Sequence, residues 1–227
     1  MGCITQYSFD FLLALRDNNN RAWFEANRST YEASHAEALC FAETVMQELS
    51  AFDLLEPRSP RKTVYRIYRD IRFSKDKTPY KEYWGGSFKR AGAARRGGMA
   101  FHIEPGNTYI GGGFWGPNKD DLLHLRRQIA ADAEPLRDVL EDKAFKAFFG
   151  TMQGQKLKTA PKGFDKTHPD IDLLNHKQFL VKHAYKDEDV LAPDFESQIA
   201  RGFSKMLPFL EAMTGYLTTD MNGESLL

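Results

Sequence analysis

Apolar positions fall into two textures along this chain of 227 residues. Up to about residue 56 the spacing is helical. Ser8-Phe9-Asp10 opens a short helix with Phe9, Leu12 and Leu13 on one face, closed by Asn18-Asn19-Asn20, which also offers an N-cap to the next helix. Phe24, Tyr31, Ala38, Val45 and Phe52 then recur every seven residues, with Phe41 and Leu49 between them. This is one apolar stripe, the mark of a helix face turned to a core. From Arg21 to Ser50 such a helix spans roughly 45 Å, with room for one break.

Pro57 and Pro60 end that region, and from Thr63 the texture becomes short aromatic and β-branched runs punctuated by glycine. VYRIYRDIRF, YWGGSFKR, GMAFHIEP and TYIGGGFW read as antiparallel strands, the last two joined by a hairpin at Pro105-Gly106-Asn107. Gly92–Gly98 is a basic loop between two of them. Helices resume at Pro117-Asn118 (Leu122, Leu125 and Ile129 inward) and at Glu134-Pro135, leading through Leu136, Val139 and Leu140 to Phe145, Phe148 and Phe149, with Gly150 as the stop. QFLVKHAY adds a strand, and Asp194 caps a final helix carrying Phe195, Ile199, Phe203, Met206 and Leu210, kinked or split at Pro208; the residues from about Thr219 should fray. The expectation is α+β: a mostly antiparallel sheet flanked by helices, with long N-terminal and C-terminal helices, in one domain over residues 1–227.

Composition is that of an ordinary globular chain, 42% hydrophobic and 27% charged, with no apolar run approaching a membrane span and no signal-peptide pattern. No membrane partner is expected. Cys3 and Cys40 form no CxxC and no framework, which predicts free thiols in a reducing cytoplasm. Formal charge is zero overall but uneven: −5 over residues 1–60, +9 over 61–98 and −4 over 99–227. A local excess of that size either attracts an anion or is neutralised by the acidic remainder.

The excess centres on Arg66-Ile-Tyr-Arg-Asp-Ile-Arg-Phe-Ser-Lys-Asp-Lys-Thr-Pro-Tyr80, with five cations and two acids. On a strand over 64–73, Tyr65, Ile67, Arg69, Ile71 and Phe73 would share one face, apolar but for Arg69. Asp70, on the opposite face, is badly placed to partner Arg69, which then needs an acid from elsewhere or an anionic ligand. The pattern Arg66-x-x-Arg69-Asp70-x-Arg72-Phe73-x-x-Asp76-Lys77-x-x-Tyr80 resembles the signature of the domain of unknown function 2461 family, conserved hypothetical proteins of bacteria with related domains in some fungi. The resemblance covers nearly the whole chain and implies a single bacterial, cytoplasmic domain. It brings no established activity.

Three readings of the segment stand side by side. Arg66, Arg69, Arg72 and Lys77 line a pocket for phosphate or carboxylate, with Asp70 and Asp76 beside them and Tyr80 adding a hydroxyl. Alternatively the arginines pair with Asp70, Asp76 and remote carboxylates as a structural network. Third, the loop Arg90–Arg96 with Tyr83, Trp84 and Phe88 forms a nucleic-acid surface. The expected function is recognition of a small anionic molecule by Arg66, Arg69, Asp70, Arg72, Asp76, Lys77 and Tyr80. An enzyme acting on a phosphorylated metabolite or nucleotide is the alternative, and catalytic residues and oligomeric state are left open.

Other patterns are bland. Gly111-Gly112-Gly113-Phe114-Trp115-Gly116-Pro117 could cradle a phosphate or wall the Arg66–Lys77 pocket, but reads better as a bulged strand end, since it lacks a nucleotide loop's Lys-Ser/Thr ending. His102-x-Glu104 lacks the PCxxC that would complete a zinc-deaminase site. His168-Pro169-Asp170-Ile171-Asp172 reads as a helix start, and no GxSxG or HExxH occurs. No metal and no cofactor is expected.

Overall fold

The computed structural model describes residues 2–227, and they are α+β. Three helices come first, α1 (Gln6–Asp17), α2 (Arg21–Ala26) and α3 (Arg28–Leu49), then the single turn α4 (Pro60–Thr63). Strands β1 (Trp84–Lys89), β2 (Gly98–Ile103) and β3 (Thr108–Phe114) follow, then α5 (Lys119–Ala131), α6 (Glu134–Glu141), α7 (Lys143–Phe149) and α8 (Ile171–Leu174). Strand β4 (Phe179–Tyr185), α9 (Asp187–Val190) and α10 (Phe195–Thr218) complete the chain. The four strands form one antiparallel sheet in the order β1-β2-β3-β4. The chain groups into two compact units, the first made of residues through Phe88, Ala100–Ile110 and Ala184–Gly202, the second of Lys89–Met99, Gly111–His183 and Phe203–Leu227.

In the first unit, α1 begins at a Thr5 N-cap, three residues before the expected Ser8, because the Thr5 side chain accepts from Tyr7 N. Glu37 of α3 accepts from Thr5 N at 3.0 Å, Thr5 Oγ1 at 2.7 Å and Ser8 Oγ at 2.6 Å, which fixes α1 on α3. The long expected helix is broken at Asn27, which ends α2 and starts α3, and it stops at Leu49. Its stripe is real for Ala38, Phe41, Val45 and Leu49, all fully buried, but Phe52 lies past the end and is half exposed.

Cys3 and Cys40 are not free thiols. They form a disulfide, with Cα atoms 5.7 Å apart, a normal span for such a bridge. Residues 37 apart in sequence meet because the chain before α1 runs back along α3, a closure no Cys spacing reveals.

The segment 64–73 is not a continuous strand. It touches neighbouring chain at two isolated antiparallel bridges, Val64 with Gly86 and Tyr68 with Tyr80. Tyr65 N donates to Gly85 O, while Lys81 N donates to Ile67 O and Arg69 N to Pro79 O, so the pairing slips by two residues between these points and no ladder forms. Nor does it carry an apolar face: Ile67 is buried, but Tyr65 is 43% and Phe73 95% exposed.

The hairpin between β2 and β3 turns at Gly106, whose φ of 78° suits glycine. In the second unit the glycine run of β3 is a close-approach site. Gly113 has φ 124°, and a Cβ there would stand 2.1 Å from Phe179 O of β4. Asn118 caps α5, accepting from Asp120 N and Asp121 N, so the first amides that a phosphate would need are already engaged. Helix α10 runs unsplit through Pro208. After it Thr219 bridges Ser225, and Asp220 N donates to Glu224 O. Among the described residues no helix is long and apolar enough to cross a membrane.

Candidate functional site

The irregular pairing of residues 64–86 opens a cleft of about 500 Å³ within the first unit, lined by Arg69, Asp70, Asp76, Tyr80, Lys81, Glu82, Tyr83, His102 and Glu104. Four of the expected site residues meet here: Arg69, Asp70, Asp76 and Tyr80. Arg66, Arg72 and Lys77 are not among the lining, and neither is any residue of the 111–117 run.

A tight turn builds the first wall. Thr78 N donates to Asp76 Oδ1 at 2.9 Å, the Thr78 hydroxyl donates to the same carboxylate, and Arg69 Nη1 donates to Asp76 Oδ2 at 2.6 Å. Arg69 Nη1 also meets Thr78 Oγ1. The acid that Arg69 required thus lies seven residues on, delivered by the turn. These donors, the Thr78 amide foremost, hold the Asp76 carboxyl at about 2, well below its ordinary 3.8.

Arg69 keeps donors in reserve. Guanidinium presents five N–H groups, and the edge formed by Nε and Nη2 is one that forks onto carboxylate or phosphate. In Arg72 that edge is consumed by Asp70, at 2.9 and 2.6 Å. In Arg137 it is consumed by Asp170 and Asp172. In Arg69 only Nη1 has protein acceptors, and Nε and Nη2 have none among the described residues. The side chain is 27% exposed.

Lys81 supplies the second cation. Its ammonium donates to Arg66 O and has no carboxylate partner among the described residues. Burial, with Arg66 close by, pushes its pKa down. Tyr80, which the sequence offers as a hydroxyl donor, spends its ring on the core instead: it is 3% exposed and stacks on Phe24 at 4.0 Å. Asn19 clasps the backbone here, accepting from Tyr80 N and donating to Tyr80 O and Glu82 Oε1. Lys77 is turned to Ile71 O at 2.9 Å.

The opposite wall comes from β2 and the residue beyond it. His102 and Glu104 project to one side, as alternate positions on a strand do, and His102 Nε2 lies 2.7 Å from Glu104 Oε2. Asn107 Nδ2 donates to that same oxygen at 2.7 Å. The imidazole sits between the rings of Tyr83 (4.0 Å) and Tyr109 (4.6 Å). Burial pushes both tyrosines up, with Glu104 adding to it in each and the Tyr109 and Tyr65 phenols adding to it at Tyr83. The pair is visible in the sequence as His-x-Glu, but that spacing points to metal chemistry, which this chain lacks the cysteines to complete. Lys81 and Glu82, directly after the signature, carry no separate signal, and Tyr83 stands out in the sequence only as a ring to stack a base.

Several residues of the expected nucleic-acid surface are engaged within the fold. Trp84 and Phe88 are buried and have no face to stack a base. The Arg90 side chain is fully buried against Glu211 and Arg96 O, and Arg96 is paired with Asp121. His168 bonds Ala130 O and Asp170 N at its helix start, while Asp170 and Asp172 serve Arg137. Among the described residues no three His, Cys, Asp or Glu side chains converge as a metal site would require.

No curated protein and no solved structure matches the chain. A family model described as "Conserved hypothetical protein (DUF2461)" matches residues 7–211, a stretch that holds the Arg66–Tyr80 segment, both cleft walls and all four strands. The chain therefore belongs to the DUF2461 family of conserved hypothetical proteins.

Proposed function

We propose that the cleft between the Arg69–Asp76 turn and the His102–Glu104 wall binds a small molecule bearing a phosphate or carboxylate. The observation that carries this reading is the half-used guanidinium of Arg69. A guanidinium held by Asp76 and Thr78 on one side is already oriented, so a ligand meeting its free edge does not bear the cost of fixing the side chain. The cleft volume of about 500 Å³ is that of a small-molecule site. Inorganic phosphate or citrate at ~100 times its Kd should stabilise the fold by about 2.7 kcal/mol, a rise in Tm of roughly 5–10 °C that shrinks with added salt. Arg69→Ala should abolish the rise while the unliganded protein still unfolds cooperatively. If Arg69→Ala unfolds the protein and no anion stabilises the parent, the arginine is a scaffold strut and the reading fails.

The hydrogen-bonded His102–Glu104 pair in the same cleft favours a second reading, an enzyme moving a proton on a phosphorylated metabolite or nucleotide. Turnover in a panel of phosphate esters, lost in His102→Gln, tests it.

A further inference from the structure

The charge of the cleft says more about its ligand than the arginine alone. Two cations, Arg69 and Lys81, share the lining with four carboxylates, Asp70, Asp76, Glu82 and Glu104. Two of those acids are spent: both oxygens of Asp70 accept from Arg72, and both of Asp76 accept from Thr78, Oδ2 also from Arg69. The other two are half used. Glu104 accepts from His102 and Asn107 through Oε2 alone, and Glu82 accepts from Asn19 through Oε1 alone. Neither Glu104 Oε1 nor Glu82 Oε2 has a partner among the described residues, and neither is sealed from solvent. The cleft therefore offers a cationic fork together with carboxylate oxygens, and with Arg72 counted against Asp70 the acids still exceed the cations by one. A bare phosphate or dicarboxylate would use the fork but gain nothing from Glu82 and Glu104, which weaken its hold. An ammonium on the same molecule turns those two carboxylates into partners.

We infer that the ligand is zwitterionic: a small amine whose phosphate or carboxylate lies on the Nε–Nη2 edge of Arg69 while its ammonium is held by Glu104, with Glu82 as the second acceptor. This rests on the anion-binding reading above and narrows it to amino acids, amino phosphates and their relatives.

Calorimetric titration with two matched probe pairs tests it on the intact protein: O-phosphoethanolamine against ethyl phosphate, and β-alanine against propionate. In at least one pair the amine-bearing probe should bind tenfold or more tightly than its partner. Glu104→Gln should cut that ratio to threefold or less, as should Glu82→Gln if Glu104→Gln does not fold. Equal affinities within both pairs, or a preference that survives both substitutions, overturn the zwitterion and leave the anion site standing. No binding by any of the four probes sinks the anion site and the inference with it.

Discussion

At Asp76 the donors of Thr78 and Arg69 converge on one exposed carboxylate, and the consequence is an acid-resistant latch. The folded carboxyl titrates at about 2 against an ordinary 3.8, so its contribution is present above the unfolded value and is lost as pH falls toward 2. An NMR titration following the Asp76 carboxyl carbon should give a midpoint near 2, moving toward the ordinary value in Arg69→Ala. A wild-type midpoint at 3.8 would mean that the turn is open in solution. Arg69 is thus half structural and half spare, and the network and pocket readings of the sequence meet in one side chain, the first in its Nη1 and the second in its other edge.

Element by element, what the sequence disclosed depended on how local the cause was. The side-chain caps at Asn20 and Asn118 were legible, since the capping group lies next to the element, whereas the Thr5 cap of α1 was missed by three residues. The β2–β3 hairpin was legible for the same reason, its turn residues being adjacent. The segment 64–73 was not. Its aromatic, alternating pattern fits a strand, but pairing also depends on Pro79, the Asp76 turn and the two-residue slip against residues 79–86, none of which periodicity encodes. The cleft was half legible on the same grounds: the Arg66–Tyr80 segment marks one wall, while the other arrives from β2 by tertiary folding. The glycine run of β3 was read correctly as a strand device, and its cost can be measured. Gly113→Ala places a Cβ 2.1 Å from Phe179 O at a φ of 124°, so it should destabilise by several kcal/mol, on the order of 3 or more. Urea unfolding reads this directly, and a change within ~0.5 kcal/mol would show that β3 and β4 can part at no cost.

On the scale of the whole molecule, the covalent link between Cys3 and Cys40 is the element least expected from the sequence. Closing a loop with a sequence separation of 37 should stabilise the fold by about 3–4 kcal/mol in the chain-entropy picture. Urea titrations with and without a phosphine reductant should differ by that amount, and a difference below ~1 kcal/mol would assign the work of holding the N-terminal chain to Glu37 and Glu196 instead. One half of the bridge, Cys3, lies outside the family-matched stretch, and the other, Cys40, lies inside it. The bridge also turns the stretch between them into a ring, and Asn19, which clasps Tyr80 and Glu82 at the cleft, sits within that ring. A protease that nicks the backbone once anywhere between the two cysteines releases no fragment: the severed ends stay on one covalent molecule, and the asparagine stays tethered beside the cleft it braces.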